Sequence, residues 1–130
     1  ENTKRQEGFP MIRKSADMTC EVRERMRGGA GAVSMRHLFQ QDEFTAPVRL
    51  CAQATLPPGA GIGPHTHETE DEVYVILRGT GILDDGTTQT RVTAGDAILT
   101  GNGESHAILN DGEEPLELMA FIACYPEKKS

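Results

Sequence analysis

From residue 32 onward, apolar residues fall in short runs separated by Gly, Pro, Asn and Asp, the texture of a β protein. The runs predict strands over 32–39, 48–56, 72–78, 80–83, 88–92, 97–100, 106–109 and 116–124. Strong turn signals stand between them, among them Pro57-Pro58-Gly59, Asp84-Asp85-Gly86, Gly101-Asn102-Gly103 and Asn110-Asp111-Gly112. Glycine accepts positive φ in such turns, and Asx side chains close them locally. Many short strands without long helices predict an all-β antiparallel sandwich or barrel.

The region before residue 32 reads differently. Residues 12–28 are mixed and charged; Ser15-Ala16-Asp17-Met18 opens a short helix with only a weak stripe of Val22, Met26 and scattered arginines, and Gly28-Gly29-Ala30-Gly31 ends it. That glycine run follows no strand and carries no phosphate-loop lysine, so it reads as a flexible loop rather than a nucleotide site. Met11-Ile12-Arg13 reads like a natural start. The chain therefore divides into a leader or disordered segment (1–10), an N-terminal extension (11–31), one barrel domain (32–126) and a short tail (127–130).

Charge narrows the range of partners. The 130 residues carry 13 Lys+Arg against 20 Asp+Glu, a formal net charge of −7. An acidic chain of this kind is a poor match for nucleic acid or an anionic membrane. No stretch approaches the ~18 consecutive apolar residues of a membrane span. Glu1 to Pro10 lacks the apolar core of a signal peptide. Cys20, Cys51 and Cys124 are far apart, with no CxxC pair, so neither a disulfide framework nor a zinc knuckle is expected. This usage fits a reducing cytoplasm. Cys51 and Cys124 read as small buried hydrophobes within strands.

The chemistry concentrates in Gly59 to Gly79, which reads G-A-G-I-G-P-H-T-H-E-T-E-D-E-V-Y-V-I-L-R-G. Side chains at i and i+2 of a strand share a face, so His65 and His67 can converge on one point. Glu72 opens the next strand, with Tyr74 and Ile76 on its face by the same parity. His106 follows the turn at 101–105. Three neutral imidazoles and one carboxylate make a site of borderline hardness, suited to Mn, Fe, Ni, Zn or Cu.

These residues reproduce a known pattern. Gly59-x5-His65-x-His67-x4-Glu72-x6-Gly79 resembles the first motif of the cupin superfamily, and Gly95-x5-Gly101-x-Gly103-x2-His106-x3-Asn110 resembles the second. Fifteen residues separate the two. One departure occurs, Gly101 in place of the family's usual proline, and a softer loop is expected there. The stretch M-I-R-K…M-R-G-G-x-G-x-V also resembles small bacterial single-domain cupins, a group of mostly unassigned activity.

The resemblance implies a conical jelly-roll β-barrel with the metal inside, held by His65, His67, Glu72 and His106. It implies one divalent transition metal per subunit, with Mn or Fe typical and Ni or Zn common. It also implies a homodimer formed through N-terminal strands. Glu68, Glu70 and Asp71 are read as a solvated acidic rim, with one of them contacting substrate or replacing Glu72 as the competing reading. Asn110 is read as a turn former and His37 as an ordinary strand histidine, with the pocket mouth as its alternative. Family parity turns Leu50, Ala52 and Ala54 inward, and a one-residue slip would instead turn in Arg49, Cys51 and Gln53. With Leu118, Ala120 and Ile122 also inside, the pocket is expected to be small and mostly apolar around a polar metal. The acidic segment at 68–72 suggests attraction of cations and disfavours highly anionic ligands.

Two functions follow from the resemblance. One is a metal-dependent enzyme acting on a small oxygen-chelating metabolite, of dioxygenase, isomerase, decarboxylase or lyase type, with Tyr74 as candidate proton donor. The other is a non-catalytic module that binds or senses a sugar or organic acid, with Tyr74 as a core residue.

Overall fold

The computed structural model describes residues 6–126, so part of the expected leader and the tail at 127–130 lie outside the described residues. It is built of ten strands: β1 (Thr19–Glu24), β2 (Ala32–His37), β3 (Val48–Leu56), β4 (Gly61–His67), β5 (Glu70–Arg78), β6 (Thr80–Asp84), β7 (Gln89–Thr93), β8 (Ala97–Thr100), β9 (Glu104–Leu109) and β10 (Leu116–Cys124). They form two antiparallel sheets. One has the order β1-β2-β3-β10-β5-β8 and the other β4-β9-β6-β7. The expected all-β jelly-roll barrel is what the chain adopts.

Period-two burial drives the packing. Along β5, Glu72, Tyr74 and Ile76 are buried while Val73 and Val75 are half-buried. Along β10, Leu116, Leu118, Ala120 and Ile122 point inward. Ala52 and Ala54 of β3 are fully buried opposite Ala120 and Leu118. Alternating faces of neighbouring strands thus meet in one core that also includes Val33, Met35, Ile62 and Ile108. Cys51 is buried as well, although it points to the other side of β3. Its cross-strand partner is Phe121, which packs edge-to-face on Phe44, and Phe44 packs in turn on Phe39. The segment between β2 and β3 therefore covers the outer face of the sheet.

Two strands fall outside the predicted runs, although the convergence of His65 and His67 presupposes extended chain at the end of the second. Instead of a weak helix over 15–28, the chain makes a 3-10 turn at Ser15–Asp17, then β1, then a 3-10 turn at Met26–Gly28. β1 shows no alternation because both its faces are largely exposed, and its pairing with β2 from Thr19↔His37 to Glu24↔Ala32 is what holds it. β4 reads as loop because of Gly61, Gly63 and Pro64. It is an edge strand, and its register with β9 shifts between Ile62 and His65, so the missing Pro64 N–H falls in an irregularity. β5 begins at Glu70 and β9 at Glu104, both earlier than expected.

The glycines of β4 permit a backbone-on-backbone contact. A Cβ on Gly63 would lie 2.1 Å from the Arg27 carbonyl oxygen, and one on Gly29 would lie 2.3 Å from the Gly61 carbonyl oxygen. Neither position accommodates a side chain, and the turn at Met26–Gly28 rests directly on β4.

Candidate metal centre

β4, β5 and β9 bring His65, His67, Glu72 and His106 together. One ligand atom from each lies within 4.8 Å of all the others. The Nε2 atoms of His65 and His106 are 3.0 Å apart, and those of His67 and His106 are 3.2 Å apart. Glu72 Oε1 lies 2.8 Å from His67 Nε2, 2.9 Å from His106 Nε2 and 3.7 Å from His65 Nε2. His67, Glu72 and His106 are buried.

Each imidazole is oriented from its far side. The Nδ1–H of His65 donates to the Gly63 carbonyl at 2.8 Å. The Nδ1–H of His67 donates to Glu70 Oε2 at 2.5 Å. The Nδ1 of His106 lies 2.8 Å from the Thr100 hydroxyl. Carbonyl and carboxylate oxygens only accept, so in the neutral rings of His65 and His67 the proton sits on Nδ1 and the Nε2 lone pair faces the centre. Lone pairs and a carboxylate aimed at one another repel unless a cation lies among them. The donor set therefore fits a divalent transition metal, and these outer contacts are those that fix ligand tautomers.

The titration of the cluster follows from its surroundings. Burial pushes the Glu72 carboxyl up, but the imidazoles of His106 and His65, with positive charge on His106 and His67 once those rings take up a proton, outweigh it and hold the group at about 2. Burial lowers the His106 pKa. Tyr74 is buried beside Glu72 and stacks on His106 at 4.7 Å between centroids, with 16° between the rings. Burial, then the Glu72 charge, raises its hydroxyl well above the ordinary phenol value, so the hydroxyl stays protonated.

The surroundings depart from the sequence expectations in three ways. First, Glu70 is no solvated rim residue. It receives the His67 proton and is gripped by Arg49 at 2.8 and 2.7 Å, which holds its carboxyl below the ordinary value. Second, Gly101 is not simply a softened proline position. A Cβ there would lie 2.0 Å from Asp71 Oδ1, and the Gly101 N–H, which a proline lacks, donates to Glu104 Oε1 at 3.1 Å. The Asp71 carboxylate, which also accepts from the Tyr125 hydroxyl at 2.6 Å, occupies the space. Third, the cavity beside the cluster is small, about 200 Å³, but not mostly apolar. Leu50, Met26 and Ile122 share its wall with His37, Gln40, Arg23, Arg27 and Arg49. Arg49 is paired with Glu70 and Arg23 with Glu21, so this wall is not the uniformly acidic one that the segment at 68–72 suggested.

Other residues resolve similarly. His37 reaches the cavity, where its Nε2 lies 2.6 Å from Glu21 Oε2. Asn110 is fully buried. It does close a turn, accepting from the Gly112 N–H at 3.0 Å, but its Nδ2 also donates to the Leu56 and Glu114 carbonyls at 2.8 Å each. Thr100, Arg27 and Arg23 drew no attention in the sequence, because a threonine and two scattered arginines carry no spacing signal. Among the described residues, no helix is long and apolar enough to cross a membrane.

Residues 52–122 match the family model for the cupin domain. The chain belongs to the cupin family. This cupin is 42% identical over 116 residues to an oxalate-binding protein of Thermotoga maritima, covering 89% of this chain and 96% of the relative. A crystal structure described as a predicted oxalate decarboxylase from Thermotoga maritima superposes with a TM-score of 0.84 at 41% identity, over 88% of this chain and 99% of that one. A polyketide cyclase of Streptomyces resistomycificus, at 19% identity and a TM-score of 0.71 over 93% of this chain and 83% of that one, shares the fold alone.

Proposed function

We propose that this cupin holds one divalent transition metal through His65, His67, Glu72 and His106, and binds there a small carboxylate-bearing chelator of the oxalate class. The observation that carries this reading is the combination of a four-donor cluster with a small cavity lined by Arg23, Arg27 and Arg49. The name of the Thermotoga maritima relative, an oxalate-binding protein, points the same way. Three imidazoles and a carboxylate accept any of manganese, iron, nickel or zinc, and the family resemblance favours manganese or iron.

A bound divalent ion supplies Lewis acidity to the oxygens that reach it. The rest is the work of the chain. Gly63, Glu70 and Thr100 hold the three imidazoles in register, and Arg49 holds Glu70. Leu50 and Ile122 line the cavity with Glu72. The arginine side chains of the wall attract an anion, Arg27 most of all because Arg49 and Arg23 are paired with carboxylates.

A second reading, turnover of the bound ligand, is favoured by Tyr74. Its buried, protonated hydroxyl borders the cavity on the ligand side and would serve as a proton donor. Binding without product release under air, with manganese or iron supplied, would leave the binding role alone. We further propose a cytoplasmic homodimer of one-domain subunits (11–31 extension, 32–126 barrel), paired through the exposed outer strand β1. Elemental analysis after reconstitution tests the core of the reading. One ion per chain is expected, falling to little or none in His67→Ala, and a wild type that takes up no metal would refute it.

A further inference from the structure

Three arginines and His37 border the cavity, and all but Arg27 already touch a carboxylate. Arg49 is bound to Glu70 at 2.7 Å. Arg23 is bound to Glu21 at 3.0 Å, and His37 shares that same carboxylate at 2.6 Å. Arg27 has no carboxylate partner among the described residues. A guanidinium without a counter-charge, on an exposed residue of the cavity that His65, His67 and Glu72 also line, is a natural seat for an anion.

The backbone around Arg27 is set for this purpose. Arg27 (φ 54°, ψ 30°) and Arg25 (φ 50°, ψ 47°) both adopt the left-handed conformation, which non-glycine residues hold only where the surroundings enforce it. The turn is clamped by Arg25 N–H to Gly31 O and Gly28 N–H to Arg25 O, each 2.9 Å, and Gly61 N–H donates to Ala30 O at 2.9 Å. Gly63 completes the link. Its bare α-carbon carries the Arg27 carbonyl, while its own carbonyl accepts from His65 Nδ1. One residue thus fixes both a metal-ligand imidazole and the base of the Arg27 side chain.

We propose that Arg27 is the anion-recognising residue of this pocket, its guanidinium taking the oxygens of a small dicarboxylate that face away from the metal centre. The proposal rests on the metal-binding reading above. It assigns Arg27 to ligand selection and not to metal retention. Arg49 keeps a different task, because its fork is spent on Glu70.

The test is a calorimetric titration of oxalate into manganese-loaded protein, with metal content measured for every variant. Wild type should bind oxalate. Arg27→Gln should keep its metal and its thermal midpoint, but lose oxalate affinity by about tenfold to a hundredfold. Arg27→Asn provides a second neutral variant suited to the left-handed backbone. Arg27→Lys should recover only part of the loss, since it restores charge without the fork. Arg25→Gln, which removes a neighbouring charge outside the cavity wall, should bind oxalate as wild type does. The proposal is overturned if both neutral Arg27 variants bind oxalate like wild type, or if Arg25→Gln loses as much. Metal-loaded wild type that ignores oxalate also overturns it, while leaving the metal site standing. Absence of stoichiometric metal overturns both together.

Discussion

Glu70 offers a sharp test of how this site is built, because it touches the metal cluster only through His67. Its carboxylate takes the His67 Nδ1–H at 2.5 Å and is itself held by both arms of Arg49. Losing such an outer contact typically costs 10- to 100-fold in metal affinity, or about 1.4–2.7 kcal/mol. The structure orders two variants within that range. Glu70→Gln keeps an oxygen able to accept the proton but removes the charge that makes His67 more basic, so about tenfold is expected. Glu70→Ala leaves a buried N–H without a partner and the ring free to turn, so about a hundredfold is expected. Competition against a metal-buffering chelator measures the affinities. Far-ultraviolet circular dichroism of the metal-free variants checks that the barrel is intact. Wild-type affinity in both variants, or a larger loss in Glu70→Gln than in Glu70→Ala, would refute the reasoning.

Three further outcomes are expected. Gly101→Ala should destabilise the fold by about 1–3 kcal/mol in urea unfolding, because its Cβ meets the Asp71 carboxylate at 2.0 Å; combining it with Asp71→Gly should recover much of that loss. Asn110→Ala should cost about 2–4 kcal/mol, since it strands the Leu56 and Glu114 carbonyls in a buried setting; a change below the error of a chemical melt would contradict this. Glu43, hydrogen-bonded to Arg13 at 2.6 and 2.7 Å, has its carboxyl lowered from 4.5 to about 2 by that bond first. A lowered carboxyl stabilises above its unfolded value and loses that contribution as the pH falls from 4.5 towards 2. The urea midpoint of Glu43→Gln should therefore decline less steeply than that of wild type over this interval, and parallel declines would count against the pair.

Much of this molecule can be read directly from its chain, for identifiable reasons. β5 and β10 announce themselves because one face is buried and the other is not, and the inward set Glu72, Tyr74, Ile76, Leu118, Ala120 and Ile122 follows from parity alone. The convergence of His65, His67, Glu72 and His106 is legible because their spacing reproduces the two cupin motifs. β1 and β4 are not legible. One is exposed on both faces, and the other trades side chains for glycines that let a second segment lie against it. The mixed charge of the cavity wall was hidden for a related reason. The acidic residues are contiguous in sequence, whereas Arg23 of β1, Arg27 of the turn at Met26–Gly28 and Arg49 of β3 meet only through the pairing of β1, β2 and β3 and the seat of that turn on β4. Glu70 looked like surface because nothing in its neighbours reveals that Arg49 and His67 flank it.

The central claim is that a small dicarboxylate binds at a metal held by the four-residue cluster. Electron paramagnetic resonance of the manganese-loaded protein addresses it directly, since the signal reports the ion's own surroundings. Oxalate should change the spectrum in a saturable way, with one ligand per ion, and Glu72→Gln should weaken or abolish the protein-bound signal. A bound-manganese spectrum that oxalate leaves unchanged at saturating concentration would contradict the account.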